Sequence, residues 1–303
     1  MDSGLLGVLR TDAKGIHVDI DPAEIGKNRA ADLPIVGDAK KVLGRLNKLI
    51  GRQLPEFAGG EELKPAEAPK NAAARAAWWD QMRGWRDAHP LTPEFSDEEI
   101  KPQHVMMEID RLSAGEAIVS SDVGQHQMWA AQFIRFNHPR LWLNSGGLGS
   151  MGFGLPSAVG AQFARPDKLV FAIIGDGGFQ MSIPELATLA NHALPVKIVV
   201  VNNGYLGMVR QWQELFYNNR LSAVQLDTFP DAEKLAGAYG FPGRTIEKPS
   251  ELRSALETAV KSPGPYLLNI RVTPFENVYP MVPAGAAINE MVLRPPQPVP
   301  VGK

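Results

Sequence analysis

The sequence predicts an α/β fold in which helices cover both faces of a parallel sheet. Two continuous apolar runs, 168–174 and 196–201, have the length of buried strands, and a helical pattern at 183–194 separates them. Each run ends in small or polar residues, Gly-Asp-Gly-Gly at 175–178 and Asn-Asn at 202–203. Apolar strands that alternate with helices are typical of parallel sheets buried on both faces. Ligands bind such sheets at the carboxyl ends of the strands.

The first residues predict the end of a different α/β unit. Alternating apolar residues over 15–21 predict a strand, and 22–26 is a turn. Residues 40–50 place their apolar side chains on one helical face. One strand and one helix cannot form a core, so we interpret 1–50 as the C-terminal remnant of a domain that begins before Met1.

A linker and a helix are expected over 51–103. Residues 54–70 are rich in Pro, Glu, Gly and Ala, which is typical of a linker. The helix predicted at 72–89 carries two tryptophans and a methionine on one face. Such a stripe is either a binding platform or a face that packs against a neighbouring domain, and we favour packing.

The main domain is placed at 104–280. Besides the two apolar runs, it contains predicted strands at 117–121 and 266–272 and a predicted helix at 250–262. The last residues, 281–303, are interpreted as a C-terminal tail because they end in a proline-rich segment.

Composition favours a soluble globular protein. Hydrophobic residues make up 44% and charged residues 21% of the chain. The net charge of -2 gives no basis for binding nucleic acid or an anionic membrane. The chain has no cysteine, so disulfides and thiolate chemistry are excluded. Since neither a membrane span nor a signal peptide is recognisable, we expect a cytoplasmic protein.

Oxygen ligands suited to magnesium follow the two apolar strands. Asp176 offers a carboxylate beside the backbone N–H groups of a glycine-rich turn, which can hold phosphate oxygens. Asn203 lies twenty-seven positions later (203 − 176), at the end of the next strand. Its amide oxygen and the carbonyl of Tyr205 would complete a set of hard ligands with phosphate and water. Two unrelated turns are the alternative, but the combination favours a metal site.

This segment, with Gly-Asp-Gly at its start and Asn-Asn at its end, resembles the motif of thiamine-diphosphate enzymes. The resemblance implies that Asp176, Asn203 and the carbonyl of Tyr205 hold Mg²⁺. Gly177 and Gly178 would then approach the diphosphate of the cofactor.

A glycine-rich loop at 146–154 carries one large side chain, Met151. Considered alone, the loop either admits a flat ligand with Met151 as an apolar wedge or is a tight turn in which Met151 fills the core. The resemblance implies that Met151 bends the cofactor and that Gly149 lies beside it. Asp176 follows Met151 by twenty-five residues (176 − 151), a spacing similar to that of the acetolactate synthases.

The segment 122–129 follows a strand and contains Gln125 and His126. Both side chains can donate hydrogen bonds to a diphosphate, although a lone histidine is more often structural. The segment resembles the acetolactate synthase family more than related decarboxylases, oxidases and carboligases. The resemblance therefore assigns Gln125 and His126, with Met151, to the catalytic and cofactor-binding groups.

The segment 206–212 also resembles the acetolactate synthases. There, the residues that match Met208, Val209 and Trp212 line the substrate channel. The alternative is the start of an amphipathic helix whose apolar residues belong to the core; we favour the channel because polar residues follow Trp212.

Near the N-terminus, the segments around Asp19 and Asp38 resemble the end of the family's central domain. The resemblance implies contacts of these two residues with flavin adenine dinucleotide (FAD). Most of that pocket would precede Met1, so FAD binding by these residues alone is not expected. A strand end and a loop are the alternative interpretation.

The resemblance spans 15–287 and aligns with the C-terminal half of longer family members. It implies decarboxylation of pyruvate and carboligation to a second 2-oxo acid, pyruvate or 2-oxobutyrate, in branched-chain amino-acid biosynthesis. We expect the chain to need a pyrimidine-binding domain from elsewhere, and to assemble as a homo-oligomer or with a complementing N-terminal half. A regulatory small subunit is a further expected partner.

Two other functions stay open at this point. One is a non-catalytic thiamine-diphosphate-binding or assembly module, and the other is a different thiamine-diphosphate carboligase or decarboxylase. NAD binding is less favoured, because no Gly-x-Gly-x-x-Gly follows the first strand of a complete βαβ unit.

Overall fold

The computed structural model describes residues 14–27, 30–53 and 72–293. The predicted linker at 54–70 and the proline-rich end of the chain lie outside these residues. The chain divides into a compact unit, Pro93–Pro280, and a second unit that contains the described residues before Pro93 together with Met281–Val292. The domain boundaries inferred from the sequence stay predictions, and the one at 103/104 falls inside a helix.

Among its described residues, the second unit contains two paired strands and two α-helices. Strand β1 (Ile16–Asp19) pairs in parallel with β2 (Leu33–Val36), and helix α1 (Ala39–Gln53) follows. Helix α2 spans Ala72–Ala88. The strand and both helices agree with the sequence prediction, whereas β2 was not predicted.

The compact unit is built on a six-stranded sheet with the order β4-β3-β5-β6-β8-β7. Every neighbouring pair is parallel, which confirms the predicted sheet type. The strands are β3 (Ile118–Ser121), β4 (Trp142–Asn144), β5 (Val170–Gly175), β6 (Lys197–Asn202), β7 (Gly243–Ile246) and β8 (Tyr266–Arg271).

Helices cover both faces of this sheet. The helices are α3 (Pro102–Ser113), α4 (Gln125–Phe133), α5 (Gly154–Ala164), α6 (Asp176–Ser182), α7 (Glu185–Asn191), α8 (Gly207–Phe216), α9 (Ala232–Ala238) and α10 (Pro249–Lys261). Side chains alternate along its buried strands, so successive residues of one strand pack in different cores. Phe171 and Ile173 of β5 pack in one core with α3, α4 and α10. Ala172 and Ile174 pack in the opposite core with α5, α6, α7 and α9.

The connection between β5 and β6 differs from the single helix predicted at 183–194. Helix α6 begins directly at Asp176, so the Gly-Asp-Gly-Gly segment forms its first turn rather than a separate turn. A second helix, α7, follows Pro184. Proline has no N–H to donate and its ring crowds the preceding turn, which explains why the helix is interrupted there.

The described helices were also compared with the length of a membrane span. None of them combines the length and the apolar character that crossing a membrane requires.

Candidate functional site

A cavity of about 210 Å³ lies at the carboxyl ends of β3, β5 and β6. It brings together nearly all the site residues expected from the sequence in this unit. Those that line it are Gln125, His126, Gly149, Met151, Asp176, Gly177, Gly178, Asn203, Tyr205, Met208 and Val209.

The ends of β5 and β6 are joined by hydrogen bonds from the backbone to side chains. Oδ2 of Asp176 accepts the N–H of Gly204 at 2.8 Å, and Oδ1 accepts the N–H of Gly177 at 3.0 Å. Oδ1 of Asn203 accepts the N–H of Tyr205 at 3.1 Å. Gly204 has φ +72, a conformation that favours glycine, and this bend directs its N–H toward the carboxylate. The Asp176 side chain is therefore hydrogen-bonded to the loop that contains Asn203.

Asp176 is a buried carboxylate that makes no ion pair with any described residue. Its residue is 2% exposed, and none of the ion pairs among the described residues includes it. Burial raises the pKa of Asp176 to about 6, while the N–H groups of Gly204 and Gly177 and the positive charge of Arg271 oppose the rise. A bound cation would compensate this desolvated charge.

The donor chemistry at this position fits magnesium. The described residues contain no group of three or more His, Cys, Asp or Glu side chains that could hold a metal. A metal beside Asp176 would therefore take most of its ligands from amide, backbone carbonyl, phosphate and water oxygens. Those hard oxygen ligands are the ones Mg²⁺ prefers, usually with only one or two carboxylates.

Because the pKa of Asp176 is about 6, the affinity for Mg²⁺ should depend on pH. Above pH 6 the carboxylate is ionised and can bind a cation, whereas below pH 6 a proton competes. We expect Mg²⁺ affinity to fall by roughly tenfold per pH unit below this pKa. Titration calorimetry from about pH 7.5 to about pH 5 would measure it. An affinity that is constant over this range would contradict a role for the carboxylate.

His126 lies in the same cavity as a neutral ring. Burial lowers the pKa of His126 to about 4, and a hydrogen bond to the backbone of Asp122 opposes this shift. Its Nε2 atom is buried and finds no hydrogen-bond partner among the described residues. Buried polar atoms are normally paired, so this nitrogen is available to a bound ligand. Gly124 and Gly175 leave room for the ring, since a Cβ on either would lie about 3 Å from it.

Gln125 connects the loop that carries Asn203 to helix α8. Its Nε2 donates to Oε1 of Gln211 at 2.8 Å and to the carbonyl of Glu276 at 3.0 Å. Its Oε1 lies 3.4 Å from Nδ2 of Asn203. Because both amide hydrogens are directed at protein acceptors, the structure shows Gln125 as a bridge. Its donation to a diphosphate stays a prediction.

Met151 lies in an irregular loop beside the start of α6. It is 37% exposed and belongs to neither buried cluster. Its Cε would lie 3.6 Å from a Cβ placed on Gly177. Gly149 and Gly152 on either side have positive φ, +67 and +85. The arrangement favours the wedge over the interpretation in which Met151 fills the core.

A wider cavity of about 690 Å³ lies along α8. Met208, Val209 and Trp212 line it, and Trp212 is 46% exposed. The segment is a helix, as the alternative interpretation expected, but Arg210 and Gln211 are its buried residues. The three predicted channel residues therefore face open space, with Met208 also packed against the core.

Asp19 and Asp38 lie in the other unit and outside both cavities. Oδ1 of Asp19 accepts the N–H of Asp21 at 2.9 Å, and Oδ1 of Asp38 accepts the N–H of Lys41 at 3.0 Å. These contacts are those of a strand end and of a residue that caps α1. The proposed contact with FAD stays a prediction.

No role was predicted for Asp122, Gln211 or Glu276, although all three support the site. Asp122 accepts the N–H of Gly152, the residue after Met151, and Gln211 and Glu276 accept the amide hydrogens of Gln125. An acidic residue at the end of β3 is the one signal that could have drawn attention to Asp122. Gln211 and Glu276 lie far from Gln125 in the sequence, so no local pattern indicates them.

Two family models match the chain. The model for the thiamine pyrophosphate (diphosphate) enzyme, C-terminal TPP binding domain, matches residues 122–270. The model for the thiamine pyrophosphate enzyme, central domain, matches residues 4–46. The first range contains every residue expected to bind thiamine diphosphate or magnesium.

Three similar proteins each match nearly the whole of this chain with less than half of their own length. Acetolactate synthase 3, chloroplastic, of Brassica napus is 40% identical over 96% of this chain and 43% of the relative. The acetolactate synthase large subunit of Haemophilus influenzae is 43% identical over 94% of this chain and 48% of the relative. The acetolactate synthase isozyme 3 large subunit of Escherichia coli is 42% identical over 92% and 47%.

The chain thus spans about half the length of the curated relatives it matches. The family resemblance inferred from the sequence is confirmed. The chain belongs to the thiamine pyrophosphate enzyme family, and over more than nine-tenths of its own length it is similar to acetolactate synthase large subunits.

Proposed function

We propose that this chain forms the diphosphate- and magnesium-binding side of an acetolactate synthase active site. One observation carries the proposal. Asp176, a buried carboxylate that makes no ion pair with the described residues, accepts a hydrogen bond from the loop that carries Asn203. The same cavity contains Met151 and the Nε2 atom of His126, which has no hydrogen-bond partner among those residues. The names of the relatives supply the reaction.

Each group of residues has a proposed task. Asp176, the amide oxygen of Asn203 and the carbonyl of Tyr205 would hold Mg²⁺. Gly177, Gly178 and His126 would contact the diphosphate. Gln125 would support the loop that carries Asn203. Met151 and Gly149 would support the bent shape of the cofactor.

Bound thiamine diphosphate supplies the carbon nucleophile for decarboxylating pyruvate and for joining the product to a second 2-oxo acid. The chain contributes position and surroundings. Burial of Asp176 and His126 excludes water from the anchoring groups. The open cavity along α8 would admit the acceptor, pyruvate or 2-oxobutyrate, past Val209 and Trp212.

Further partners are part of the same proposal. A pyrimidine-binding domain would complete the site, within a homo-oligomer or from a complementing polypeptide, and a regulatory small subunit would join the large one. FAD would bind near Asp19 and Asp38 if the rest of its pocket is supplied. The cytoplasmic location stays a prediction, since some relatives are named chloroplastic.

A chimera tests the proposed activity. This chain would replace the matching 47% of the Escherichia coli isozyme 3 large subunit. With pyruvate, Mg²⁺, thiamine diphosphate and FAD, the chimera should form acetolactate. A folded chimera that binds the cofactor and forms no product would favour a non-catalytic binding module. One that binds no thiamine diphosphate would contradict the proposal itself.

In the same chimera, Trp212→Leu should change the choice of acceptor. Removing the indole enlarges the cavity along α8, and we expect the ratio of 2-oxobutyrate to pyruvate use to shift by roughly tenfold. Product analysis from a mixture of both acids would measure it.

The control for this variant is Phe163→Leu, which shortens an aromatic residue that is also about half exposed, on α5. Trp212→Leu should leave the melting temperature close to that of the parent, because the side chain is 46% exposed. A collapsed melting transition with unchanged acceptor choice would show that Trp212 is a structural residue.

A further inference from the structure

Asp122 is a buried carboxylate that none of the assigned roles uses. It directly follows β3, is 0% exposed and takes part in no ion pair among the described residues. Burial raises the pKa of Asp122, and hydrogen bonds from four backbone N–H groups oppose the rise. The donors are Val123, Gly152, Phe153 and Gly154.

These hydrogen bonds hold the end of the loop that carries Met151. The N–H of Gly152, the next residue, lies 2.9 Å from Oδ1 and 3.0 Å from Oδ2 of Asp122. Gly154 is the first residue of α5, so the carboxylate also binds the N-terminus of that helix. The path of the backbone directly after Met151 is therefore held by the Asp122 side chain.

The other side of Met151 is held separately. The N–H of Gly149 donates to the carbonyl of Ser145 at 3.0 Å, and the N–H of Ser150 donates to Oγ of Ser145 at 3.0 Å. Met151 thus lies between two anchors, of which the one at Asp122 is charged and fully buried.

Asp122 also lies against the first turn of α6. A Cβ on Gly178 would overlap the Asp122 carboxylate, and a Cβ on Gly154 would lie 2.7 Å from the Asp122 nitrogen. Gly177, next to Gly178, faces the Met151 methyl group. One carboxylate therefore fixes the distance between the Met151 loop and the start of α6. Asp122 itself is not among the residues that line the cavity.

We propose that Asp122 is a positioning residue, which holds Met151 against the start of α6 through the backbone N–H groups of 152–154. The role rests on the proposed function, because the purpose of that placement is support of the cofactor. This role requires a side chain that accepts hydrogen bonds and has no donor hydrogen of its own. Asparagine would direct an amide N–H₂ at backbone N–H groups, and alanine would leave several buried donors unpaired.

The first test uses the unaltered protein and amide hydrogen exchange resolved to single residues. The Gly152 amide lies in a loop, yet its hydrogen bond to a buried carboxylate should protect it to the level of α5. Gly147, exposed in the same loop, should exchange freely. Exchange of Gly152 at the rate of Gly147 would overturn the proposal without any variant.

The second test is Asp122→Asn. Exchange at Gly152 should become roughly tenfold to hundredfold faster, since hydrogen bonds to charged groups are the stronger ones. The ¹³C-methyl resonance of Met151, assigned from Met151→Leu, should broaden or move toward its free value. Glu108→Gln, which removes another buried carboxylate on α3, should change neither reading.

Titration with thiamine diphosphate and Mg²⁺ separates this inference from the proposed function. If the unaltered chain binds the cofactor and Asp122→Asn leaves the Met151 resonance and Gly152 exchange unchanged, the positioning role is wrong and the proposed function stands. If both readings change but the unaltered chain binds no cofactor, Asp122 positions Met151 and the proposed function fails. If Asp122→Asn does not fold, exchange in the unaltered protein decides.

Discussion

Asp176→Asn is expected to abolish the magnesium-dependent binding of thiamine diphosphate. The substitution keeps the shape of the side chain and removes the one charged group among the proposed metal ligands. Leaving a buried charge without its partner costs about 3–5 kcal/mol, which corresponds to an affinity loss of ~10²–10⁴-fold. Titration calorimetry with cofactor and Mg²⁺ together would measure the loss.

The matched control for this prediction is Asp167→Asn. It removes the same charge from an exposed carboxylate that pairs with Arg165 at 2.7 Å, far from the cavity. Binding by this variant should equal that of the parent, and both variants should show a cooperative melting transition. Unchanged cofactor affinity in Asp176→Asn would refute the metal site.

Met151→Ala is expected to lower kcat of the chimera by about 10²-fold, the order of loss when a reacting group is misplaced by about 1 Å. The dissociation constant of thiamine diphosphate should change little, because the anchoring groups at Asp176, Asn203 and His126 remain. Steady-state kinetics with pyruvate, together with a cofactor titration, would separate the two quantities.

Two further variants control for loss of methionine in general. Met151→Leu keeps an apolar side chain of similar size and should restore most of kcat. Met107→Ala removes a methionine that is 40% exposed on α3 and should not affect turnover. A loss of cofactor affinity as large as the loss of kcat would show that Met151 only contributes to binding.

The central strands and the residues after them were predictable from the sequence. Strands β5 and β6 are buried on both faces, so nearly every position along them is apolar and the pattern is continuous. Polar residues then have to follow where the strands end. This is why Asp176 and Asn203 could be placed together, at the carboxyl ends of neighbouring strands, before the structure was known.

The edge strands were not predictable. Strand β4 (Trp142–Asn144) has three residues of intermediate burial, and β7 (Gly243–Ile246) begins with glycine and arginine. Neither segment alternates, because an edge strand takes its position from its neighbour: Trp142 pairs with Val119, and Gly243 with Leu267. Pairing of this kind is a tertiary effect that the local pattern does not contain.

The hydrogen-bond partners of the site residues could not be predicted from the sequence either. Gln125 was expected to donate to a diphosphate, yet its amide hydrogens reach Gln211 and Glu276, which are 86 and 151 residues away. Such partners are defined only once the chain has folded. The sequence could place a polar side chain at a strand end, and the fold decided what that side chain contacts.

The strand order has a consequence for where any ligand could bind. The chain leaves β3 into α4, which packs on one face of the sheet, and leaves β5 into α6, which packs on the other. Two connections that diverge from adjacent strands open a crevice between them, a topological switch point. Gln125 and His126 begin one wall, and Asp176 begins the other. The location of the crevice is therefore a property of connectivity, so its lining can change chemistry while its place in the fold persists.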